Sequence, residues 1–270
     1  MTLGGSVEYP PARHMLRDLQ VEFEHGEGES RAWIPAPAAC ADRSGNVRLG
    51  VLATLVDALG GGLAALAAAP GWIATADLTV HRLRPVAADG SVVLAALGRV
   101  LRSGRTTVVI ECRVGTVDRP DPPVAIATMT FAVLDRRGTN PVVVPNAGPP
   151  VRNTMALADS HVRVPVLEAF GISSDSPGRA TIGLSAYVTN SLGSVQGGAL
   201  ATLAEFAAES LVVTSPATTV ELQLDYLSLA KRGPVIATAH DLGDGVARVE
   251  IADGDGRRTT AAFTRSGVLR

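Results

Sequence analysis

The sequence of 270 residues contains very little lysine, cysteine and aromatic side chain. Lys231 is the single lysine, and the formal net charge is −2. This charge balance gives no reason to expect nucleic acid or an anionic membrane surface as a partner. Cys40 and Cys112 are too few for a disulfide framework and form no C-x-x-C pair, so the sequence predicts a protein of the reducing cytoplasm.

Several motifs of catalysis and cofactor binding are also missing. The five histidines have no spacing of the H-x-x-x-H kind, so no metal site is predicted. The absence of G-x-S-x-G argues against a serine hydrolase of that type, and no glycine loop for phosphate is present. We therefore expect no cofactor.

Hydrophobic residues make up 46% of the chain and charged residues 19%, which is enough apolar material for a substantial core. The N-terminus does not read as a signal peptide. One segment, 49–71, is apolar enough to mimic a membrane span, but Asp57 stands in its middle. Because a carboxylate at bilayer depth is costly, this segment is predicted to be the buried central helix of a soluble domain.

The chain contains an internal repeat. Residues 31–57 match residues 179–205 without gaps, with identities at glycine and strand positions as well as in the Ala-rich helix. Asp57, the only acidic residue of the first apolar segment, falls on Glu205. A match of this extent indicates two copies of one fold rather than a chance likeness of Ala-rich helices.

Each copy has a short helix, an extended segment, a glycine-containing loop, a long apolar helix and then several strands rich in Val, Ile, Leu and Thr. The predicted fold class is α+β, with one helix packed against a strongly curved antiparallel sheet in each unit. A Pro-rich stretch separates the copies. The predicted organisation is an N-terminal unit 1–136, a linker 137–160 and a C-terminal unit 161–270.

This arrangement resembles the hotdog superfamily, and specifically the acyl-CoA thioesterases of the phenylacetate-pathway type. Residues 190–198 carry the family's loop-to-helix pattern, Asn-x-x-Gly-x-x-Gln-Gly-Gly, with Gln196 where the family usually has histidine. The first copy departs further, since Asp42 takes the asparagine position and residues 48–50 read Arg-Leu-Gly. The resemblance implies a tandem double hotdog that acts on acyl-CoA thioesters.

Two glycines and two acids are the candidates for chemistry. Gly197 and Gly198 precede the second long helix, where free N–H groups and the helix dipole can hold a carbonyl oxygen that becomes anionic. A plain tight helix entry is the alternative. Asp57 and Glu205 lie in apolar helices, where a carboxylate needs a hydrogen bond or a cleft, unless it faces solvent. Glu205 lies about 12 Å along the helix from Gly197, so one helix cannot supply a whole site.

Two hotdog units packed side by side bring each acid near the start of the other unit's helix. We therefore predict a composite site in which the Gly197 N–H binds the thioester oxygen and Asp57 acts as nucleophile or general base. Gln196 and Gly198 would support the oxygen site. Thr75 would orient Asp57 or a water molecule, and Asn190 would brace the loop or position water.

A second composite site would combine Glu205 and Thr219 with the first copy's helix start. It is predicted to be weak or inactive, because Leu49 replaces a glycine and Asp42 adds negative charge where an anion must be stabilised. For the CoA phosphates, the candidate ligands are Arg84, Arg102 and Arg105, near strand ends and a hairpin, although exposed surface charge explains them equally well.

The predicted function is hydrolysis of acyl-CoA thioesters to free acid and CoA, with acyl-CoA as the small-molecule partner. The alternative is a non-catalytic acyl-CoA-binding or regulatory hotdog protein, which the altered His-Gly-Gly position would suit. A hydratase or dehydratase is disfavoured because no histidine is near Asp57 or Glu205 in sequence. Two such chains could further pair as a homodimer of tandems.

Overall fold

The computed structural model describes residues 9–26, 28–135, 150–211 and 217–268. The first half has one long helix wrapped by antiparallel strands, which is the predicted hotdog unit. The helix forms because its sequence is dense in Ala and Leu, and it ends just before Pro70, which cannot continue it. The elements of this half are α1 (Met15–Asp18), β1 (Glu22–His25), β2 (Glu29–Pro35), α2 (Leu49–Ala68), β3 (Trp72–Arg82), β4 (Val93–Ser103), β5 (Thr107–Thr116) and β6 (Ala125–Leu134).

The second half repeats this series with a shorter central helix. Its long helix also begins directly after a glycine-containing loop, at the Gly-Gly pair singled out from the sequence. The elements after residue 150 are β7 (Arg152–Thr154), α3 (Val166–Ala169), β8 (Ile172–Ser176), β9 (Arg179–Ile182), α4 (Gly197–Glu209), β10 (Thr218–Tyr226), β11 (Val235–Gly243), β12 (Val246–Ala252) and β13 (Arg258–Gly267).

The described strands form one antiparallel sheet of 13 strands, in the order β7-β1-β2-β4-β5-β6-β3-β10-β13-β12-β11-β9-β8. The two halves join where β3 pairs with β10, with Thr79 opposite Gln223 near the middle of the ladder. Since β3 and β10 are equivalent strands of the two copies, this antiparallel pairing relates the halves by an approximate twofold axis. The fold is therefore the predicted α+β double hotdog.

The stretch predicted as a linker is only partly described. Residues 136–149 lie outside the described part of the chain, so its first portion is not discussed further. Its later portion includes β7, which pairs with β1 of the first half, Glu22 standing opposite Thr154. The chain thus adds a strand to the edge of the first unit before it enters the second.

Helix α2 is the one described helix that is long and apolar enough to cross a membrane. In the structure, 67% of its apolar window is buried inside the protein, and Leu55, Leu59 and Leu63 are enclosed by the sheet. Such burial is that of the central helix of a soluble domain, as the sequence predicted. The cytoplasmic location stays a prediction.

The two long helices pack against each other through reciprocal glycine–threonine pairs. A Cβ atom on Gly50 would stand 2.5 Å from Thr202 Oγ1, and one on Gly198 would overlap Thr54 in the same way. Each threonine hydroxyl donates to the carbonyl of the glycine one turn earlier on its own helix, at 2.9 Å. Only glycine allows this close approach, which brings the start of each helix against the middle of the other.

Candidate functional site

A cavity of about 470 Å³ lies between the two halves. Residues of α2 and β3 form one side of it, and the loop before α4 together with the end of β10 forms the other. Its walls along α2 are small or apolar, with Gly61, Gly62 and Ala65 on the helix and Phe23 and Trp72 facing them. The cavity has the size and the largely apolar lining typical of a small-molecule site.

Asp57 lies at the polar centre of this cavity and is only 7% exposed. The Thr75 hydroxyl donates to Asp57 Oδ1 at 3.0 Å. Thr75 stands beside an irregularity in the pairing of β3 with β6, between Thr75 and Asp77. Burial raises the pKa of Asp57 to about 6, although hydrogen bonds from Thr75 and from the Gly198 backbone oppose the rise. Asp57 is therefore ionised at neutral pH but remains a much stronger base than an exposed aspartate.

Gly197 is the first residue of α4 and faces the Asp57 carboxylate directly. A Cβ atom on Gly197 would stand 2.6 Å from Asp57 Oδ2, so a side chain at this position would displace the carboxylate. The Tyr226 hydroxyl donates to the Gly197 carbonyl at 3.0 Å. Among the described residues, the Gly197 N–H makes no hydrogen bond, which leaves a free donor at the positive end of the helix dipole.

The loop before α4 is held by Asn190 and contributes Gln196 to the cavity wall. Asn190 Oδ1 accepts hydrogen bonds from the backbone N–H groups of Leu192 and Ser194, at 2.9 and 3.1 Å. Asn190 therefore braces the loop, one of the two roles considered for it. Gln196 is 8% exposed, and its Oε1 atom lies 3.5 Å from the Tyr9 hydroxyl.

At the equivalent position in the other half, Glu205 meets the start of α2 in a different way. Its two carboxylate oxygens accept hydrogen bonds from the N–H groups of Leu49 and Gly50, at 2.9 and 3.0 Å. Glutamate is one methylene longer than aspartate, so its carboxylate reaches both amides. This helix start consequently offers neither of those two N–H groups to a ligand.

Charged side chains fill the rest of the Glu205 site. Arg48 lies 2.8 Å from Glu209 and 3.6 Å from Glu205, and all three residues are buried. On the other side of the site, Asp42 pairs with Arg82 at 2.9 Å and also accepts a hydrogen bond from Thr218. We refer to Asp42, Arg48, Arg82, Glu205 and Glu209 as the buried ion network.

The repeat alignment explains why one site is open and the other is filled. At three equivalent positions, a neutral or small residue beside the cavity is replaced by a charged residue of the buried ion network. The pairs are Gln196 with Arg48, Gly61 with Glu209, and Tyr226 with Arg82. Beside Asp57 this space is the open cavity, whereas beside Glu205 the equivalent space is filled by ion pairs.

A comparison with protein families identifies the first half. Residues 6–113 match the family model described as the acyl-CoA thioesterase C-terminal domain, and this segment contains both Asp57 and Thr75. The match spans 108 of the 270 residues, so it shows that the first half is similar to this family. Together with the hotdog fold, this similarity supports a thioesterase enzyme. The phenylacetate-pathway subtype stays a prediction. A sequence comparison with curated proteins finds no match.

Solved structures show that the thioesterase shares its fold with other proteins over nearly its whole length. The 12:0-ACP thioesterase from Umbellularia californica is 9% identical with a TM-score of 0.61, covering 90% of this chain and 98% of that one. An acyl-ACP thioesterase from Bacteroides thetaiotaomicron is 11% identical with a TM-score of 0.59, covering 89% and 98%. A hot dog protein from Alicyclobacillus acidocaldarius is 14% identical with a TM-score of 0.55, covering 92% and 96%. At these identities the likeness concerns the fold alone.

Of the residues singled out from the sequence, the thioesterase brings Asp57, Thr75, Asn190, Gln196, Gly197 and Gly198 together around the open cavity. At the other site the Thr219 hydroxyl is buried without a hydrogen-bond partner, so it does not bind Glu205 in the way that Thr75 binds Asp57. Asp42 is neutralised by Arg82 rather than left as a repelling charge. The described residues contain no group of three or more His, Cys, Asp or Glu that could hold a metal ion.

The three arginines proposed for CoA phosphates do not line the cavity of the thioesterase. Arg84 follows β3 and donates to the backbone carbonyl of Pro123 at 3.3 Å, on the side of the filled site. Arg102 and Arg105 are exposed around the β4–β5 turn, where Ser103 meets the last turn of α2. A strand-end position in the sequence does not say which of the two sites that end belongs to, and the assignment of these arginines to CoA stays a prediction.

Sequence reasoning missed two tyrosines at the site of the thioesterase. Burial raises the pKa of both Tyr9 and Tyr226, and the nearby Asp57 charge raises it further. Extending the repeat alignment into β10 would have pointed to Tyr226, since its equivalent, Arg82, is a charged residue in a strand. No sequence pattern pointed to Tyr9, which lies before the repeat begins.

Proposed function

We propose that this thioesterase hydrolyses acyl-CoA thioesters to free acid and CoA in the cavity between its two halves. The observation that carries the proposal is the placement of the buried Asp57 carboxylate against Gly197, at the start of a helix from the other half. A base and a backbone donor then meet at one point of a largely apolar cavity, which is the arrangement that acyl transfer requires.

The carbonyl oxygen of the thioester binds the free Gly197 N–H in this proposal. When the carbonyl carbon becomes tetrahedral, its oxygen gains negative charge, and the N–H and the helix dipole stabilise that charge. Gly198 is engaged by Asp57 and so fixes the base. Tyr226 holds the Gly197 carbonyl and thereby sets the direction of the first turn of α4.

Asp57 is either the general base or the nucleophile of the reaction. It either removes a proton from the attacking water or attacks the carbon itself, and both routes need the ionised carboxylate. Collapse of the tetrahedral species breaks the carbon–sulfur bond and expels the CoA thiolate. In the general-base route Asp57 returns to this thiolate the proton that it took from water; in the nucleophilic route the thiolate takes a proton from solvent, and water then hydrolyses the acyl–Asp57 anhydride. Either route consumes one water for each acid and thiol released.

The two ends of the cavity suit the two ends of the substrate. From Asp57, one end follows α2 past Gly61 and Ala65 and is apolar, which suits the acyl group. The other end passes Ser191, Ser228 and Leu229 towards the surface and suits the polar pantetheine arm.

Release of CoA from a panel of acyl-CoA esters, followed with a thiol reagent, tests the proposal. We expect turnover that varies with the acyl group, with inhibition by the free CoA product. The non-catalytic alternative predicts protection of the protein by acyl-CoA against thermal unfolding with no thiol released. That outcome would reject hydrolysis at this cavity.

The pH dependence of turnover is expected to follow the pKa of Asp57. Because the base must be ionised, kcat/KM should be level above about pH 6 and fall about tenfold per pH unit below it. The Thr75 hydrogen bond lowers the pKa of Asp57, so Thr75→Ala should move the acid limb to higher pH. Thr79→Ala, further along β3, is the matched control and should leave the profile in place. An acid limb unchanged in Thr75→Ala would contradict the assignment.

A further inference from the structure

A basic groove adjoins the outer end of the cavity. It encloses about 510 Å³ and is lined by the segment after β10 and the β12–β13 turn. The groove and the cavity share Ser228 and Leu229, so a ligand leaving the cavity at this end passes directly into the groove. Its cationic residues are Lys231, Arg232 and Arg257, and its acidic residues are Asp253 and Asp255.

The two acids do not cancel the three cations. Asp253 is buried, and its Oδ1 atom accepts the backbone N–H groups of Asp255 and Arg257, so it serves to shape the turn. Asp255 pairs with Arg232 at 2.9 Å. Lys231 and Arg257 are exposed and, among the described residues, form no ion pair. The groove therefore presents two free cations to a ligand.

These cations occur only beside the open cavity. The equivalence of the halves is fixed by matching hydrogen bonds: Val195 N–H binds the Ala230 carbonyl as Val47 N–H binds that of Val86. Lys231 and Arg232 then correspond to Ala87 and Ala88.

The β12–β13 turn, which carries Arg257, also has an equivalent on the filled side. Ser228 N–H binds the Thr259 carbonyl as Arg84 N–H binds that of Val124. Arg257 therefore corresponds to Pro122, so all three groove cations are replaced by uncharged residues on the filled side. Arg84, the basic residue found there, donates to a backbone carbonyl.

We propose that this groove binds the nucleotide phosphates of CoA while the thioester lies at Asp57. The inference rests on the proposed function, because it assumes that an acyl-CoA occupies the cavity. Phosphate groups carry the negative charge that Lys231 and Arg257 attract, and the arginine fork suits phosphate oxygens. The exposed Leu227 and Leu229 lie between the groove and Asp57, where the pantetheine arm would pass.

The test compares two substrates that share one acyl group, an acyl-CoA and the corresponding acyl-pantetheine, which lacks the nucleotide. In the double variant Lys231→Met, Arg257→Met, we expect kcat/KM for acyl-CoA to fall about tenfold, through KM. Turnover of acyl-pantetheine should not change. The double variant Arg119→Met, Arg163→Met loses the same charge at two exposed residues that line neither the groove nor the cavity, and it should behave as wild type with both substrates.

The outcomes separate the groove from the proposed function. Equal losses with both substrates, or no loss with either, would overturn the groove as a phosphate site. A loss seen only with an acylated carrier protein would overturn it in favour of a protein-binding surface. If wild type hydrolyses no thioester, the proposed function fails. Calorimetric titration with CoA alone then tests whether the groove binds the nucleotide. Weaker CoA binding by the Lys231→Met, Arg257→Met variant supports the groove as a phosphate site, and unchanged binding rejects it.

Discussion

The Asp57→Asn variant is expected to lose about 10²-fold or more in kcat, because the amide keeps the shape of the side chain but cannot act as a base. The variant should fold normally. Burial raises the pKa of Asp57 to about 6, so at neutral pH its ionised form costs the folded state about 3 kcal/mol. Removing the charge should leave the melting temperature equal to or above that of wild type.

Glu205→Gln is the matched control at the equivalent position and should give the opposite pattern. Burial raises the pKa of Glu205 to about 7, which offsets part of the effect of removing its charge. Its carboxylate nevertheless binds two backbone N–H groups, so the amide leaves a buried N–H unsatisfied and should lower stability. The folded fraction should hydrolyse acyl-CoA at close to the wild-type rate. Steady-state kinetics and thermal unfolding, measured for Asp57→Asn and Glu205→Gln, test whether only one site works. Equal losses of kcat in the two variants would refute a single working site.

Asp57→Glu is also expected to lose about 10²-fold or more in kcat, although the charge is retained. At the equivalent site, the carboxylate of Glu205 binds both N–H groups at the start of α2. The longer carboxylate at position 57 should likewise take the Gly197 N–H, and loss of one oxyanion donor typically costs 10²–10³ in rate. Substrate binding should change much less, because the cavity walls are untouched.

The kinetics of this variant separate two views of Asp57. If the carboxylate alone mattered, Asp57→Glu would keep most of its activity while Asp57→Asn lost it. If the free Gly197 N–H also matters, both variants fail and both still bind CoA. Glu205→Asp serves as the converse control: it frees a backbone N–H but should gain no second active site, since Arg48 and Glu209 still fill the space.

The fold followed from the sequence because the repeat is a long-range signal. Two copies of one helix-and-strand pattern can each bury their apolar face in only a few ways, and side-by-side packing was the one that gave a complete site. The meeting of Asp57 with Thr75 and with the Gly197–Gly198 pair followed from the same reasoning. Residue type and helix length were sufficient for that part.

The sequence did not reveal why the second site is filled. From the sequence, we attributed the predicted loss of the second site to Leu49 and to the charge of Asp42. In the structure, Arg82 neutralises Asp42 and the buried ion network occupies the space. Whether a glutamate carboxylate reaches one backbone amide or two depends on distances of a few tenths of an ångström, which residue type does not encode. The groove was missed for a related reason, since its two segments meet only in the folded chain.

The pairing of β3 with β10 joins two hotdog units that are one polypeptide rather than two copies of a shorter one. In a symmetric assembly of identical subunits, any substitution appears at both sites at once, so a change that fills one pocket destroys the other as well. Here each substitution appears once. Arg48, Arg82 and Glu209 therefore fill the space beside Glu205 and leave the site at Asp57 unchanged, so the start of α4 stays open while the start of α2 is bound by Glu205 at the junction of the halves.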